Sequence, residues 1–151
     1  SARTVVEVGE GGRGGLAVRL DEAHHYQVET GNGTVRAVAR IGPLRHTVAE
    51  RTVPSGPLIL RIDVTTTDVL PPTVTFRGTG PEAAVPPGLR VGGPDTLRLG
   101  YETSDGDFEI LAELDGRYLT TEVAGGFTGR VIGMYATHGS AAFDWFELRP
   151  A

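Results

Sequence analysis

Lysine and cysteine are both absent from this sequence, and each absence removes a class of chemistry. Without cysteine there is no thiol nucleophile, no thiolate metal site and no disulfide. Without lysine there is no imine formation on a protein amine and no phosphate-loop lysine. All 14 cationic side chains are arginine, a usage that reads as codon bias of the source genome, with a preference for the guanidinium fork as its rival. The missing cysteines leave the compartment open, cytoplasmic or secreted, because a domain of this length buries roughly 70% of its unfolded surface and needs no bridges. No apolar run approaches the roughly 20 residues of a membrane-spanning helix, and no basic-then-apolar leader opens the sequence. As given, the chain reads as soluble with no membrane partner, any export signal lying outside it. A net charge of -5 lacks the basic footprint that phosphate backbones require, which argues against nucleic acid.

What is abundant is punctuation. Gly 22 and Pro 10 are spread along 151 residues instead of being gathered in a linker, so residues 1–151 read as a single domain. Between them, apolar and polar residues alternate with period two, the pattern of half-buried strands. Strands are expected near Thr4 to Val8, Gly15 to Leu20, His25 to Glu29, Thr34 to Arg40, Leu44 to Thr52 and Leu58 to Thr65. Further ones follow near Thr73 to Arg77, Thr96 to Thr103, Asp107 to Leu114, Gly129 to Thr137 and Ala141 to Leu148. Gly31-Asn32-Gly33 and Asp105-Gly106 suit tight hairpins, since these residues accept the positive φ of primed turns. Only Leu119 to Val123 suits a helical turn. Many short strands at this spacing predict an antiparallel two-sheet sandwich or closed barrel. The Pro-rich stretch Pro71 to Pro94 reads as a long excursion between two strands. Parity puts Tyr26 and Val28 inward and His25, Gln27 and Glu29 on the other side. In the last strand it groups Phe143, Trp145 and Glu147 against Asp144, Phe146 and Leu148, with neither face wholly polar.

Catalytic constellations are weak. His24 and His25 fall on opposite strand faces, so the pair cannot share a metal, and nothing in the pattern brings His24 to His46 or His138. Glu109 and Glu113 have the same parity and lie about 13 Å apart by strand rise, beyond the roughly 5 to 10 Å of a glycosidase carboxylate pair. No serine sits in a Gly-x-Ser-x-Gly elbow. The run Gly9 to Gly15 has neither a following helix nor a lysine, so it is no phosphate cradle. Aromatic residues suit the flat faces of sugars, and Trp145, Tyr101, Tyr118, Tyr135, Phe108 and Phe127 are the candidates, most of them expected in the core. Phe127 stands apart because it lies in Ala124-Gly125-Gly126-Phe127-Thr128-Gly129, among residues too small to pack around it.

The ordered succession Gly15-Leu16-Ala17-Val18, His24-His25-Tyr26, Leu97-Arg98-Leu99-Gly100-Tyr101 and Ser104-Asp105-Gly106-Asp107-Phe108 carries a resemblance. It continues through Leu114-Asp115, Leu119-Thr120-Thr121-Glu122, Gly126-Phe127-Thr128-Gly129 and Ile132-Gly133-Met134-Tyr135, and closes on Ala142-Phe143-Asp144-Trp145-Phe146. This order resembles the C-terminal concanavalin A-like β-sandwich of family 43 glycoside hydrolases, the β-xylosidases and α-L-arabinofuranosidases. The resemblance implies an all-β, antiparallel two-sheet jelly roll with no catalytic residue of its own and no cofactor. It implies an accessory role beside a five-bladed catalytic propeller whose pocket takes pentose-containing oligosaccharides, with Phe127 and Thr128 as pocket contacts. Some concanavalin A-like relatives hold structural calcium at an Asp of the last strand, the place of Asp144. An independent, lectin-like carbohydrate-binding module is the alternative, and a stand-alone hydrolase or lyase is a third reading.

Overall fold

The computed structural model describes residues 1–69, 91–126 and 128–150. The strand expected near Thr73 to Arg77, most of the Pro71 to Pro94 excursion, and Phe127 lie outside them. Period-two alternation becomes extended backbone throughout. In chain order the described strands are β1 Ala2–Val8, β2 Arg13–Arg19, β3 His24–Gly31, β4 Thr34–Ile41, β5 Leu44–Thr52, β6 Leu58–Val69, β7 Val91–Glu102, β8 Phe108–Asp115, β9 Val131–His138 and β10 Ala141–Leu148. They pair antiparallel as two five-stranded sheets, β10-β1-β6-β7-β8 and β5-β4-β3-β2-β9. A short 3-10 turn, Gly116–Leu119, and a one-turn helix, α1 Thr121–Ala124, fill the place expected for helical structure.

Turn chemistry sets the registers. Asn32 and Gly33 hold φ of 53° and 69°, joining β3 to β4 by a two-residue primed turn. Gly42, at φ 60°, does the same before Pro43 between β4 and β5. Asp105-Gly106 sits in a longer loop closed by the Thr103 amide on the Asp107 carbonyl at 2.9 Å. Facing residues of the two sheets then form one core. Val6, Leu60, Ile62, Leu97 and Leu99 come from the first sheet, and Leu16, Val18, Tyr26, Val28, Val35 and Ala37 from the second. Each large side chain removed from water in this way contributes about 1.5–3 kcal/mol.

Two β-bulges break the parity expected from sequence. In β8 the register slips between Leu99 and Gly100, so Glu113 opposes Arg98 while Glu109 opposes Tyr101. Glu109 and Glu113 therefore lie on opposite faces, not on one, because the extra residue turns the strand over. In β10 the slip puts Asp144 and Trp145 together against Val5, with Phe143 paired to Val6, Phe146 to Thr4, Leu148 to Ala2 and Glu147 to Arg3. Phe143 packs on the core and Glu147 pairs with Arg3 on the outer face, so the expected grouping of Phe143 with Glu147 does not hold.

On the outer face of the second sheet, Glu29 is fully buried. Its carboxylate accepts from Arg36 Nε at 2.6 Å and from the Tyr135 hydroxyl at 2.6 Å, with Arg13 Nη1 at 3.7 Å. These partners come from β4, β9 and β2, so one carboxylate ties four strands together. Gly15 lies between Glu29 and Tyr135 in the ladder, and any Cβ there would meet the Val28 carbonyl at 2.0 Å. Burial, and then the Glu29 charge, push the Tyr135 phenol well above its ordinary range, so it donates and does not ionise.

Removing one partner of a buried ion pair strands the other charges, so Glu29→Ala is expected to cost about 3–5 kcal/mol in urea unfolding. Tyr135→Phe, which loses one hydrogen bond to a charged group, costs about 2 kcal/mol in the same measurement. Gly100→Ala drives a Cβ to 1.9 Å from the Glu109 carbonyl and costs about 1–3 kcal/mol. Gly129→Ala, with nothing within 4 Å, should leave stability within about 0.5 kcal/mol.

Candidate functional site

The segment that carries Thr128 leaves the core through a locked turn. The Asp115 carboxylate accepts from the Arg117 amide at 2.9 Å and from its guanidinium Nε at 2.8 Å, contacts that hold it below the usual carboxylate range. Tyr26, in the opposite sheet, donates its hydroxyl to the Asp115 carbonyl at 2.7 Å across the core, and its phenol is pushed up to about 12, chiefly by burial. Leu119 is fully buried beneath the turn, and Thr120 Oγ1 donates to the Arg117 carbonyl at 2.8 Å. After α1, Gly125 and Gly126 take φ of 75° and 94°, a left-handed pair that L side chains rarely adopt. The return is fastened by Arg130, whose guanidinium pairs with Asp95; that carboxylate also accepts from Thr66 Oγ1 at 2.6 Å. Burial opposes ionisation of Asp95, but Thr66 and Arg130 outweigh it and hold the group below its ordinary range. Between these two fastenings Gly125, Gly126, Thr128 and Gly129 are exposed. Phe127 lies outside the described residues.

Asp144 is exposed and stands at the β10 bulge, lining a depression of about 470 Å³ with Val5, Glu7, Pro57, Ala142 and Phe143. Glu7 is the one other carboxylate there. Calcium takes six to eight oxygens, and among the described residues no three His, Asp or Glu side chains are placed to share an ion. This donor set does not form a calcium cage. The histidines stay apart: His24 Nδ1 lies 3.0 Å from the Asp21 carboxylate, His46 is exposed on β5, and His138 is exposed beside Thr137.

The aromatic candidates divide by face. Tyr101 packs against the core. Trp145 and Phe108 lie on the outer face of the first sheet under Arg3 and Arg61, whose guanidinium carbons sit 5.3 Å and 4.6 Å from the ring centres. Glu102, between the two arginines, is paired at 3.2 Å and 3.8 Å. These rings are capped by cations, a stacking that leaves their covered faces unavailable to a sugar. Tyr118 is exposed, and Tyr135 belongs to the Glu29 cluster. At the rim where β10 faces β9, three inward-side residues reach solvent instead of a partner: Phe146 is 38% exposed, Met134 45% and Leu148 62%. The sandwich is open along this edge.

Sequence reasoning missed the outer face of the second sheet. It placed His25, Gln27 and Glu29 together on a polar side, and a strand face of that composition reads as solvated. Yet Gln27 and Glu29 are buried. The signal that could have exposed it is in the turn, because Asn32-Gly33 fixes the register that stands Arg36 of β4 beside Glu29 of β3.

Comparison with known proteins agrees with this architecture. Residues 81–149 match the family model for the β-xylosidase C-terminal concanavalin A-like domain. A non-reducing-end α-L-arabinofuranosidase of Bacteroides ovatus is 29% identical over 149 residues, covering 89% of this chain and 22% of that protein. The chain thus spans about a fifth of the curated relative it matches. Among solved structures, the Bacteroides ovatus xyloglucan PUL GH43B protein superposes with a TM-score of 0.68 at 24% identity, covering 98% of this chain and 26% of that one. The GH43 BlXynB protein of Bacillus licheniformis gives 0.63 at 16% identity, covering 96% and 26%. At these identities the structural likeness establishes the fold alone. Motif order, the family match over residues 81–149 and the homologue converge on one likeness: this chain is similar to the C-terminal concanavalin A-like sandwich domains carried by family 43 glycoside hydrolases.

Proposed function

We propose that the 151 residues form one non-catalytic accessory domain of a glycoside hydrolase acting on xylose- or arabinose-containing polysaccharides. Its partner is a five-bladed propeller that brings the catalytic carboxylates and binds the pentose-containing oligosaccharide. The observation that carries this reading is the open edge. Phe146, Leu148 and Met134 expose an apolar strip on the inward side of the sandwich, and contiguous apolar surface of this kind suits a protein neighbour. The arabinofuranosidase relative, of which this chain matches about a fifth, supports the same reading.

The fastened loop supplies the second part of the proposal. Anchors on both sides, Asp115 with Arg117 and Asp95 with Arg130, fix the base from which the exposed Gly125, Gly126, Thr128 and Gly129 extend. An aromatic side chain at Phe127, with Thr128 beside it, then closes part of the propeller's pocket. Excluding water there strengthens every electrostatic interaction at the reacting centre without the sandwich touching a proton.

Purified alone and supplied with 4-nitrophenyl β-D-xyloside or α-L-arabinofuranoside, the chain should show no turnover above buffer; robust hydrolysis refutes the accessory role. In an enzyme joining this chain to its catalytic domain, Phe127→Ala is expected to lower kcat/KM about tenfold, roughly 1.4 kcal/mol of transition-state stabilisation. An unchanged kcat/KM removes the loop from the pocket. At the open edge, Leu148→Ser should shift the isolated chain's stability by no more than about 0.5 kcal/mol. The same change should lower the melting temperature of the joined enzyme, and an unaffected joined enzyme places the interface elsewhere.

A further inference from the structure

The outer face of the second sheet carries a charge arrangement that the fold does not require. Register places Arg19 of β2, His25 of β3, Arg40 of β4 and Arg45 of β5 directly opposite one another in one row. Like charges in adjacent cross-strand positions are destabilising. Glu22 pairs with Arg19, but among the described residues no carboxylate pairs with Arg40 or Arg45. His25 does not add to the row's charge: burial first, then Arg40, Arg19 and Arg45, hold its pKa below the ordinary value. A chain of net charge -5 thus concentrates unneutralised arginine on one face.

Two residues along each strand the row is uncharged: Gly133, Ala17, Gln27, Val38 and Thr47. Two further along it is Tyr135, Gly15, Glu29 and Arg36, which belong to the cluster already described, with Glu50 exposed at the end of the row. The basic row and the cluster stand about 13 Å apart by strand rise. Between them, over Ala17, is a depression of about 280 Å³ walled by Arg19, Glu22, His25, Gln27 and Tyr135. Gln27 is only 9% exposed, and its amide oxygen is buried with no hydrogen-bond partner. An acceptor left in that state costs free energy until a donor reaches it.

We propose that this depression binds a uronic-acid residue of an acidic glycan. The sugar ring lies over the Gln27 side chain, a turn of that amide presents its unpartnered oxygen to a sugar hydroxyl, the Tyr135 ring forms a flat wall, and the carboxylate shares Arg19 with Glu22. Guanidinium forks suit carboxylates because two parallel N–H donors match two oxygens. A glycan laid across the strands carries its next carboxylates along the row toward Arg40 and Arg45. The site is independent of the accessory role, since a chain that hydrolyses nothing can still bind here, and one that hydrolyses can fail to bind.

The test is calorimetry and amide NMR on the 151-residue chain with trigalacturonate at about 50 mM salt, where screening is weak. Saturable binding is expected, with shifts at Ala17, Gln27 and Gly133 and an affinity at least tenfold above that for xylotriose. Arg40→Gln with Arg45→Gln should cost trigalacturonate about tenfold and leave xylotriose unchanged. Gln27→Leu should weaken both several-fold. Should that buried variant fail to fold, Glu22→Gln at an exposed position should tighten trigalacturonate several-fold by freeing Arg19. No saturable binding, equal binding of xylotriose, shifts confined to other faces, equal competition by an oligothymidylate, or an affinity indifferent to Glu22→Gln would each overturn the proposal.

Discussion

A single carboxylate without water around it sets the terms for half of this molecule. Glu29 sits in the middle strand of the second sheet, on the side away from the core, and yet is fully buried. An ion in that position is tolerated only if its lone pairs are taken by donors. Those donors are Arg36 of β4 and Tyr135 of β9, with the Arg13 charge of β2 3.7 Å away, so meeting the demand of one side chain also fastens the edge strand β9 to its sheet. Gly15 follows from the same demand, because a side chain there would collide with the β3 backbone beneath the Tyr135 bridge.

The two outer faces solve their electrostatics differently. On the first sheet, Arg3 and Arg61 cover Trp145 and Phe108 and share Glu102, so cations, rings and anion compensate one another within the face. On the second sheet the cluster around Glu29 sets one carboxylate against two arginines and a phenol, and in the row four residues along the strands only Arg19 of three arginines is paired with a carboxylate among the described residues. A sandwich needs its inner faces to be complementary and leaves the outer ones free, so an outer face out of balance is a place where something besides folding has shaped the surface. The inner rim between β9 and β10 is the third such place, with apolar side chains that an isolated layer pair does not cover.

Much of the architecture was legible in advance because period-two alternation acts locally. β5 and β10 fall at the residues expected, Tyr26 and Val28 point inward, and Leu119 to Val123 meets the one short helical stretch. The β-bulges were not legible. Parity counting assumes one residue per rung, and a single extra residue in β8 and in β10 sent Glu109 away from Glu113 and Phe143 away from Glu147. Of the candidate site residues, Thr128 is exposed after the left-handed Gly125-Gly126 pair, and Asp144 shares its depression with Glu7 alone among carboxylates. His25, Gln27 and Glu29 were correctly placed together, but their burial was not, since polarity says which side of a strand a residue takes and nothing about what its neighbours will lay over it.

The amino-acid order by itself determined strands, most turns, the absence of thiol and lysine chemistry, and the family that the ordered motifs resemble. The strands and turns depend on backbone preference and residue identity, which act within a few positions, and the motif order carries a resemblance to a family and no more. Only the tertiary structure decided which strands are neighbours, and with that which charges meet. Arg19, His25, Arg40 and Arg45 become one row, and Arg13, Arg36 and Tyr135 converge on Glu29, because antiparallel pairing brings residues distant in sequence to about 5 Å, the spacing at which Coulomb and hydrogen-bond energies outweigh local preference.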